Sequence, residues 1–99
     1  MVNEPVNSDS NSKLKLLVFE NDWCAQCYTQ RPIINALRTK YAEQLKVTIF
    51  NVEADPELSA DYNIKSAPSI IVKKNGNVVE RIPRFIDKEQ LETIIRYYL

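Results

Sequence analysis

The residues best suited to carry out a reaction are Cys24 and Cys27, the only two cysteines in the chain. They lie three positions apart, after an apolar run and before a helix-like stretch. In the first turn of a helix such residues share one face, with Cβ atoms about 5–6 Å apart, whereas a disulfide needs about 3.5–4.5 Å. A small local adjustment would join the two sulfurs. The spacing therefore predicts a pair that exists both as a disulfide and as free thiols.

A position at a helix N-terminus should make one of these thiols reactive. Unpaired N–H groups and the positive end of the helix dipole favour a thiolate and lower a thiol pKa from about 8.5 to about 3.5–7.5. The thiolate is the nucleophile in disulfide exchange. We therefore predict that Cys24 attacks and that Cys27 resolves the mixed disulfide. Glu20 and Asp22 should oppose part of the shift at Cys24.

Two other interpretations of the cysteine pair are possible. The pair could be half of a zinc site, but a structural zinc site needs four ligands and the chain has no third cysteine and no histidine. We therefore expect no metal. The cysteines could also be buried and inert, as free cysteines often are. A C-x-x-C motif between a strand and a helix favours redox chemistry.

Composition limits the remaining possibilities. The chain has 99 residues, of which 44% are hydrophobic, and 13 basic residues balance 13 acidic ones. That length predicts one small domain. Without a basic patch, a long apolar segment or a signal-peptide pattern, we expect no nucleic-acid partner, no membrane association and no secretory leader. We expect a cytoplasmic monomer.

The order of apolar periods and turn residues predicts an α/β domain in residues 13–99, preceded by a flexible polar tail in residues 1–12. Asn75-Gly76 is a strong hairpin signal, and Asp87 with Gln90 resembles a capping box. The predicted elements are a strand (13–19), a polar loop (20–22), a helix (24–40) kinked at Pro32, a strand (46–52), a short helix (55–62), two hairpin strands (69–73 and 78–82) and a final helix after Asp87.

Several motifs together resemble the thioredoxin family. They are Trp23-Cys24-x-x-Cys27, Pro32 five residues later, the segment Tyr62 to Ser69 (YNIKSAPS), and the turn Lys74-Asn75-Gly76. The resemblance covers about residues 14–99. It implies a minimal thioredoxin-like fold: a four-stranded mixed sheet of order 2-1-3-4, flanked by helices and lacking the family's first strand and helix.

The resemblance also implies a substrate-docking surface beside the sulfurs. The peptide bond before Pro68 should be cis and should face them, so that Ala67, Pro68 and Ser69 pair with an extended substrate. The alternative is an ordinary trans proline at a strand start. Trp23 should form a half-exposed apolar wall beside Cys24, unless it simply covers the core.

Some positions depart from the family pattern. Ala25-Gln26 replaces Gly-Pro between the cysteines, so a thioredoxin-like potential does not follow. Arg84 stands where the family has a glycine lining the peptide groove, and its bulk and charge should change which partners fit.

The proton acceptor of the resolving cysteine is a further departure. The family's buried acid is replaced by Val18 and its partner lysine by Ile49, so deprotonation of Cys27 must use water or another group. Glu20 is a candidate acid/base residue that could stand in for the missing acid. The alternative is that Glu20 is a solvated loop carboxylate.

These observations predict a thiol–disulfide oxidoreductase that acts on protein disulfides. It would need no bound cofactor, because the cysteine pair carries two electrons, and a disulfide reductase or a low-molecular-weight thiol would regenerate it. One alternative is a protein-binding adaptor with a structural or vestigial cysteine pair. Another is a glutaredoxin-like user of glutathione.

Overall fold

Strands and helices follow one another in the predicted order in a computed structural model that describes residues 13–99. The predicted polar tail, residues 1–12, lies outside the described residues. The elements are β1 (Leu14–Glu20), α1 (Ala25–Lys40), β2 (Leu45–Asn51), α2 (Pro56–Asp61), β3 (Ser69–Lys74), β4 (Asn77–Ile82) and α3 (Lys88–Tyr98).

The four strands form one mixed sheet in the order β2-β1-β3-β4, which confirms the prediction. β1 and β2 run parallel, with Leu14 opposite Leu45, because the long helix α1 returns the chain to the same end of the sheet. β3 pairs antiparallel with both β1 and β4. β1 is therefore a central strand, and its carboxyl end lies at the same end of the sheet as the carboxyl end of β2. There β1 leads directly into the cysteine motif.

One face of the sheet carries the hydrophobic core. Alternate residues of the central strands point into it, as the two-residue period of a strand requires. Helices α1 and α3 cover this face with the apolar stripes predicted from their sequences. The fully buried members are Leu14, Leu16, Val18, Ile34, Leu37, Ile70, Val72, Leu91 and Ile95.

The opposite face is lined by aromatic residues. The ring of Phe19 stacks on Phe50 at a centroid distance of 5.3 Å and contacts Tyr62, which follows α2, at 6.1 Å. The Tyr62 hydroxyl accepts a hydrogen bond from the ammonium group of Lys73 at 2.8 Å. Both faces of β1 are thus covered, as its apolar run predicted.

The predicted turns and caps are largely confirmed. Asn75 (φ 55°) and Gly76 (φ 83°) both have positive φ, as a type I′ hairpin requires. The carboxylate of Asp87 accepts a hydrogen bond from the Gln90 N–H at 2.8 Å and caps α3. Asp55 precedes Pro56 at the start of α2, but its side chain makes no capping hydrogen bond. Pro32 lies inside α1, and the kink there stays a prediction.

One boundary prediction is wrong in a way that affects the site. Glu20 is the last residue of β1 and not part of a loop. Its register partner on β2 is Asn51, and its carbonyl oxygen accepts a hydrogen bond from the Val52 N–H at 2.9 Å. This backbone pairing extends the strand by one residue and turns the Glu20 side chain inward.

None of the helices in residues 13–99 has the length and apolar character that a membrane-spanning helix requires.

Candidate functional site

The two cysteines form a disulfide at the N-terminus of α1. Their Cα atoms are 5.2 Å apart. Cys24 is the N-cap residue, and its Sγ accepts a hydrogen bond from the Cys27 N–H at 3.1 Å. Cys27 is buried at 1% exposure, whereas Cys24 is partly exposed. The pair therefore presents one sulfur to solvent and keeps the other inside, which does not suit the alternative of two buried, inert cysteines.

A cis peptide bond faces this disulfide. The bond between Ala67 and Pro68 is cis, as predicted, and the carbonyl oxygen of Ala67 lies 3.6 Å from Cys24 Sγ. The disulfide sulfur carries no proton, so this is a contact; in the reduced protein a Cys24 thiol would lie within donor range. The Ser69 hydroxyl donates to the Ser66 carbonyl at 2.6 Å and holds the segment in its turn. Of the three predicted docking residues, Ala67 contacts the exposed sulfur, whereas Pro68 and Ser69 are buried.

Trp23 projects from the protein next to the disulfide. The prediction of a half-exposed wall is wrong, since Trp23 is 98% exposed, and the alternative that it covers the core is wrong as well. It lies in a short polar turn between β1 and α1. Trp23 borders a shallow depression whose other lining residues are Asn21, Cys24, Ala25, Gln26 and Ala67. The exposed indole is therefore available as an apolar contact at the edge of the sulfur site.

Glu20 forms an ion pair that the sequence analysis missed. Its side chain is 8% exposed, so the interpretation as a solvated loop carboxylate is wrong. Arg31 Nε lies 3.1 and 3.0 Å from the two carboxylate oxygens, and Arg31 Nη2 lies 2.7 Å from Oε1. The guanidinium also lies over the Tyr28 ring, 5.0 Å from its centroid. This bidentate pair ties the end of β1 to α1, one turn after Cys27.

The ion pair changes the expected electrostatics at Cys24. The hydrogen bond to Glu20 raises the pKa of the Arg31 guanidinium above its ordinary value, and the two charges largely offset each other. Asp22 is exposed, and its carboxylate accepts a hydrogen bond from the Asn51 amide at 2.8 Å. Asp22 is therefore the acidic neighbour that still opposes a thiolate, and it does so through solvent.

Gln30 is a second feature that the sequence analysis missed. It is 1% exposed, and its side-chain amide donates to the Ile86 carbonyl at 2.9 Å while its Oε1 accepts from the Ile86 N–H at 3.0 Å. This exchange connects α1 to the loop between β4 and α3. The same loop carries Arg84, which is exposed. Gln30 continues the inward stripe of Cys27, Ile34 and Leu37, and a polar residue on an apolar stripe was the available signal.

The departures at the family's buried acid and lysine positions also appear in the structure. Val18 is fully buried in β1, and its register partner Ile49 on β2 is 40% exposed. Neither side chain can take a proton from Cys27. Within residues 13–99, no group of three or more His, Cys, Asp or Glu side chains is placed to hold a metal ion.

Comparison with known proteins identifies close relatives by sequence. The family model described as Thioredoxin matches residues 3–97. A protein named thioredoxin from Listeria monocytogenes is 30% identical over 91 residues, which cover 92% of this chain and 88% of that protein. A protein named thioredoxin from Porphyra purpurea is 30% identical over 90 residues, which cover 90% of this chain and 84% of that protein.

Solved structures show the same fold at lower identity. The thioredoxin of Fasciola hepatica superposes with a TM-score of 0.85 at 22% identity, covering 97% of this chain and 90% of that one. The germline-specific thioredoxin Deadhead of Drosophila melanogaster gives a TM-score of 0.84 at 20% identity, covering 98% and 90%.

Proposed function

Since the chain belongs to the thioredoxin family and is a thiol–disulfide oxidoreductase, we propose that it reduces disulfides of partner proteins with Cys24 as the nucleophile. The observation that carries this assignment is the asymmetry of the pair. Cys24 is partly exposed at the N-cap of α1, 3.6 Å from the carbonyl oxygen of a cis peptide bond, and Cys27 is buried one turn inside. Only Cys24 is accessible to a substrate disulfide.

The reaction proceeds in two exchange steps. The Cys24 thiolate attacks one sulfur of the substrate disulfide, forming a mixed disulfide and releasing the other substrate sulfur as a thiolate. Cys27 then loses its proton and attacks Cys24 Sγ, which forms the Cys24–Cys27 disulfide and releases the second substrate thiol. The substrate gains two electrons and two protons, and the enzyme pair loses two electrons.

The N–H groups of the first turn of α1 stabilise the attacking thiolate. The Cys27 N–H already points at Cys24 Sγ at 3.1 Å, and the first turn of α1 contains no acidic residue. A hydrogen-bond donor held at that distance favours the charged form of the sulfur. The helix therefore supplies the activation without any further catalytic side chain.

The proton of Cys27 leaves to water in this proposal. Both oxygens of Glu20, the candidate acid/base residue, are engaged by Arg31, from which they accept hydrogen bonds. Glu20 then acts as a structural link between β1 and α1.

The substrate docks in extended form beside the cis peptide bond. Backbone groups of Ala67 and Ser69 on either side of Pro68 pair with the substrate main chain, as one added strand would. Trp23 covers the substrate from one side and Arg84 contacts it from the other.

We propose that residues 13–99 act as a single domain and that the protein works as a cytoplasmic monomer.

Regeneration returns two electrons to the Cys24–Cys27 disulfide. We propose that a disulfide reductase or a low-molecular-weight thiol supplies them by the same exchange chemistry in reverse. The cysteine pair holds both electrons itself, so the exchange needs no bound cofactor.

The assay that tests this function is reduction of insulin by dithiothreitol, with and without the protein. We expect the wild-type protein to accelerate insulin precipitation and Cys24→Ser to abolish the acceleration. In a separate incubation with insulin and no dithiothreitol, the reduced Cys27→Ser variant should carry out the first exchange step and accumulate a mixed disulfide with insulin. This adduct would be visible as a mass increase that later addition of dithiothreitol removes.

The same experiment separates the alternative function, a protein-binding adaptor. An adaptor would give no acceleration over buffer and no mixed disulfide in Cys27→Ser. Its cysteine pair would have a reduction potential below about −300 mV, where structural disulfides lie. Measuring the potential against a glutathione or dithiothreitol buffer distinguishes the two functions directly.

A further inference from the structure

The loop between β4 and α3 is held at two points, one on each side of Arg84. Before Arg84, the carbonyl oxygen of Pro83 accepts a hydrogen bond from the Ser66 hydroxyl at 3.2 Å. After it, the backbone of Ile86 exchanges two hydrogen bonds with the Gln30 side chain, at 2.9 and 3.0 Å. We call these two contacts the loop clamps. They fix the backbone of a loop that lies outside the strand-to-strand hydrogen bonding of the sheet.

The loop clamps connect Arg84 to the two halves of the sulfur site. Ser66 immediately precedes Ala67, whose carbonyl oxygen contacts Cys24 Sγ. Gln30 lies one turn after Cys27 on the inward face of α1. Arg84 therefore lies on a backbone that is tied on one side to the cis-proline segment and on the other to the cysteine helix.

The charge of Arg84 is available for a substrate. Arg84 is exposed, and within residues 13–99 no carboxylate forms an ion pair with it. Asp87 is the nearest acidic residue along the chain, and its carboxylate is engaged in capping α3. Lys65, next to Ser66, is also exposed. The β4 side of the sulfur site is therefore positively charged.

The opposite side of the site carries the opposite charge. Asp22 is hydrogen-bonded to Asn51 at the end of β2, and β2 and β4 are the two edges of the sheet. A substrate lying across the sulfurs thus meets a carboxylate on one side and a guanidinium on the other. The charges of Glu20 and Arg31 offset each other, so this pair leaves the polarity unchanged.

From this arrangement we propose that Arg84 is a specificity-determining residue that selects disulfides flanked by an acidic residue, and that Gln30 positions it through the Ile86 clamp. The proposal rests on the proposed disulfide reductase function and names the substrate class for the same site. A guanidinium at the rim of a docking surface acts mainly on the rate of encounter and on the choice of partner.

The test uses the reduced full-length protein in single-turnover reactions with peptide disulfide homodimers. Three peptides share one cysteine-containing sequence and differ only in carrying Glu, Gln or Lys beside the cysteine. A self-quenched fluorophore on each half reports reduction to two thiols. We expect the wild-type protein to reduce the Glu peptide about tenfold faster than the Lys peptide at low ionic strength, and about equally fast in 1 M salt.

Arg84→Gln should bring the Glu-to-Lys rate ratio close to one, and Arg84→Glu should invert it. Both variants are compared through this ratio, because a general change in docking at Arg84 would alter all three rates together and cancel in the ratio. Arg81→Gln is the matched control, since Arg81 is exposed on β4 and its guanidinium donates to the Tyr62 carbonyl. It should keep the wild-type ratio.

Gln30→Met should lower the ratio towards that of Arg84→Gln while leaving the rate with the Gln peptide unchanged. A purely structural role for Gln30 would change all three rates together or none. Should Gln30→Met fail to fold, Ser66→Ala removes the other loop clamp at an exposed position and should lower the ratio in the same direction.

The possible results distinguish the specificity proposal for Arg84 from the proposed disulfide reductase function. Equal wild-type rates with the Glu and Lys peptides, or a ratio unaffected by Arg84→Glu, would overturn the specificity proposal and leave disulfide reduction intact. Absence of reduction for all three peptides, the neutral one included, would instead overturn the proposed function.

Discussion

Gln30 and Ile86, which are 56 residues apart in sequence, exchange two buried hydrogen bonds between a helix side chain and a loop backbone. A side-chain amide here does what a neighbouring strand does in a sheet, since it satisfies one backbone donor and one acceptor. Ile86 can therefore be buried against α1 without leaving its backbone N–H and C=O unpaired.

Replacing Gln30 by Met should lower the free energy of unfolding, because it leaves the Ile86 N–H and C=O without partners. Each buried group left unpaired costs roughly 1–3 kcal/mol. Urea denaturation followed by circular dichroism measures the change. Gln26→Met is the matched control, since Gln26 is exposed on the same helix and should change stability little. Equal urea midpoints for Gln30→Met and Gln26→Met would show that the Ile86 backbone groups form other hydrogen bonds.

Replacing Trp23 by Ala should affect activity but not stability, because the indole is 98% exposed and covers no core residue. We expect an unchanged melting temperature and a fall in kcat/KM for insulin reduction of about tenfold, the factor that corresponds to 1.4 kcal/mol of lost contact. Tyr97→Ala, at an aromatic residue of α3 that is 79% exposed, serves as the control. A melting temperature lowered by Trp23→Ala would mean that the indole packs on the protein in solution.

Replacing Glu20 by Gln tests whether this carboxylate takes the proton of Cys27. We expect the Cys27 thiol to titrate alike in the double variant Glu20→Gln/Arg31→Gln and in the wild-type protein, because water is the proposed acceptor. The double variant keeps the net charge, which separates proton transfer from a change in local charge. Alkylation rates in a Cys24→Ser background measure the thiolate. A Cys27 pKa displaced in the double variant, but not in Arg31→Gln alone, would contradict this expectation and point to Glu20.

A second charged cluster predicts how stability changes with pH. Glu92 of α3 pairs with Lys40 and accepts a hydrogen bond from the Tyr41 hydroxyl at 2.7 Å, and these contacts hold the Glu92 pKa below its ordinary value. The stabilisation should therefore be complete above the pKa of an unfolded Glu, about 4.3, and should be lost as the pH falls below it.

The difference in melting temperature between wild type and Glu92→Gln should amount to a few degrees at pH 7 and should shrink towards pH 3. Thermal scans at several pH values measure it. Glu43→Gln, at an exposed carboxylate on the turn after α1, should show no such trend. A difference in melting temperature that stays constant between pH 7 and pH 3 would show that the ionised Glu92 cluster is not its cause.

The sequence predicted the element order and the cysteine pair because these depend on local periodicity, turn residues or a short motif. The sheet order followed from the resemblance to the thioredoxin family. The same approach failed for side chains whose partners are far away in sequence. The Glu20–Arg31 pair depends on β1 meeting α1, and the Gln30–Ile86 pair depends on a loop meeting a helix. No residue near Glu20 or Ile86 indicates such a partner. Trp23 was misplaced because a turn residue has no period that predicts its exposure.

The exposed position of Trp23 gives the protein an intrinsic optical probe. The chain has a single tryptophan, which directly precedes Cys24. All indole emission therefore originates next to the reacting sulfur, and no background from other tryptophans dilutes it. Stopped-flow fluorescence of the unlabelled protein can follow individual turnovers without a dye that would crowd the docking surface.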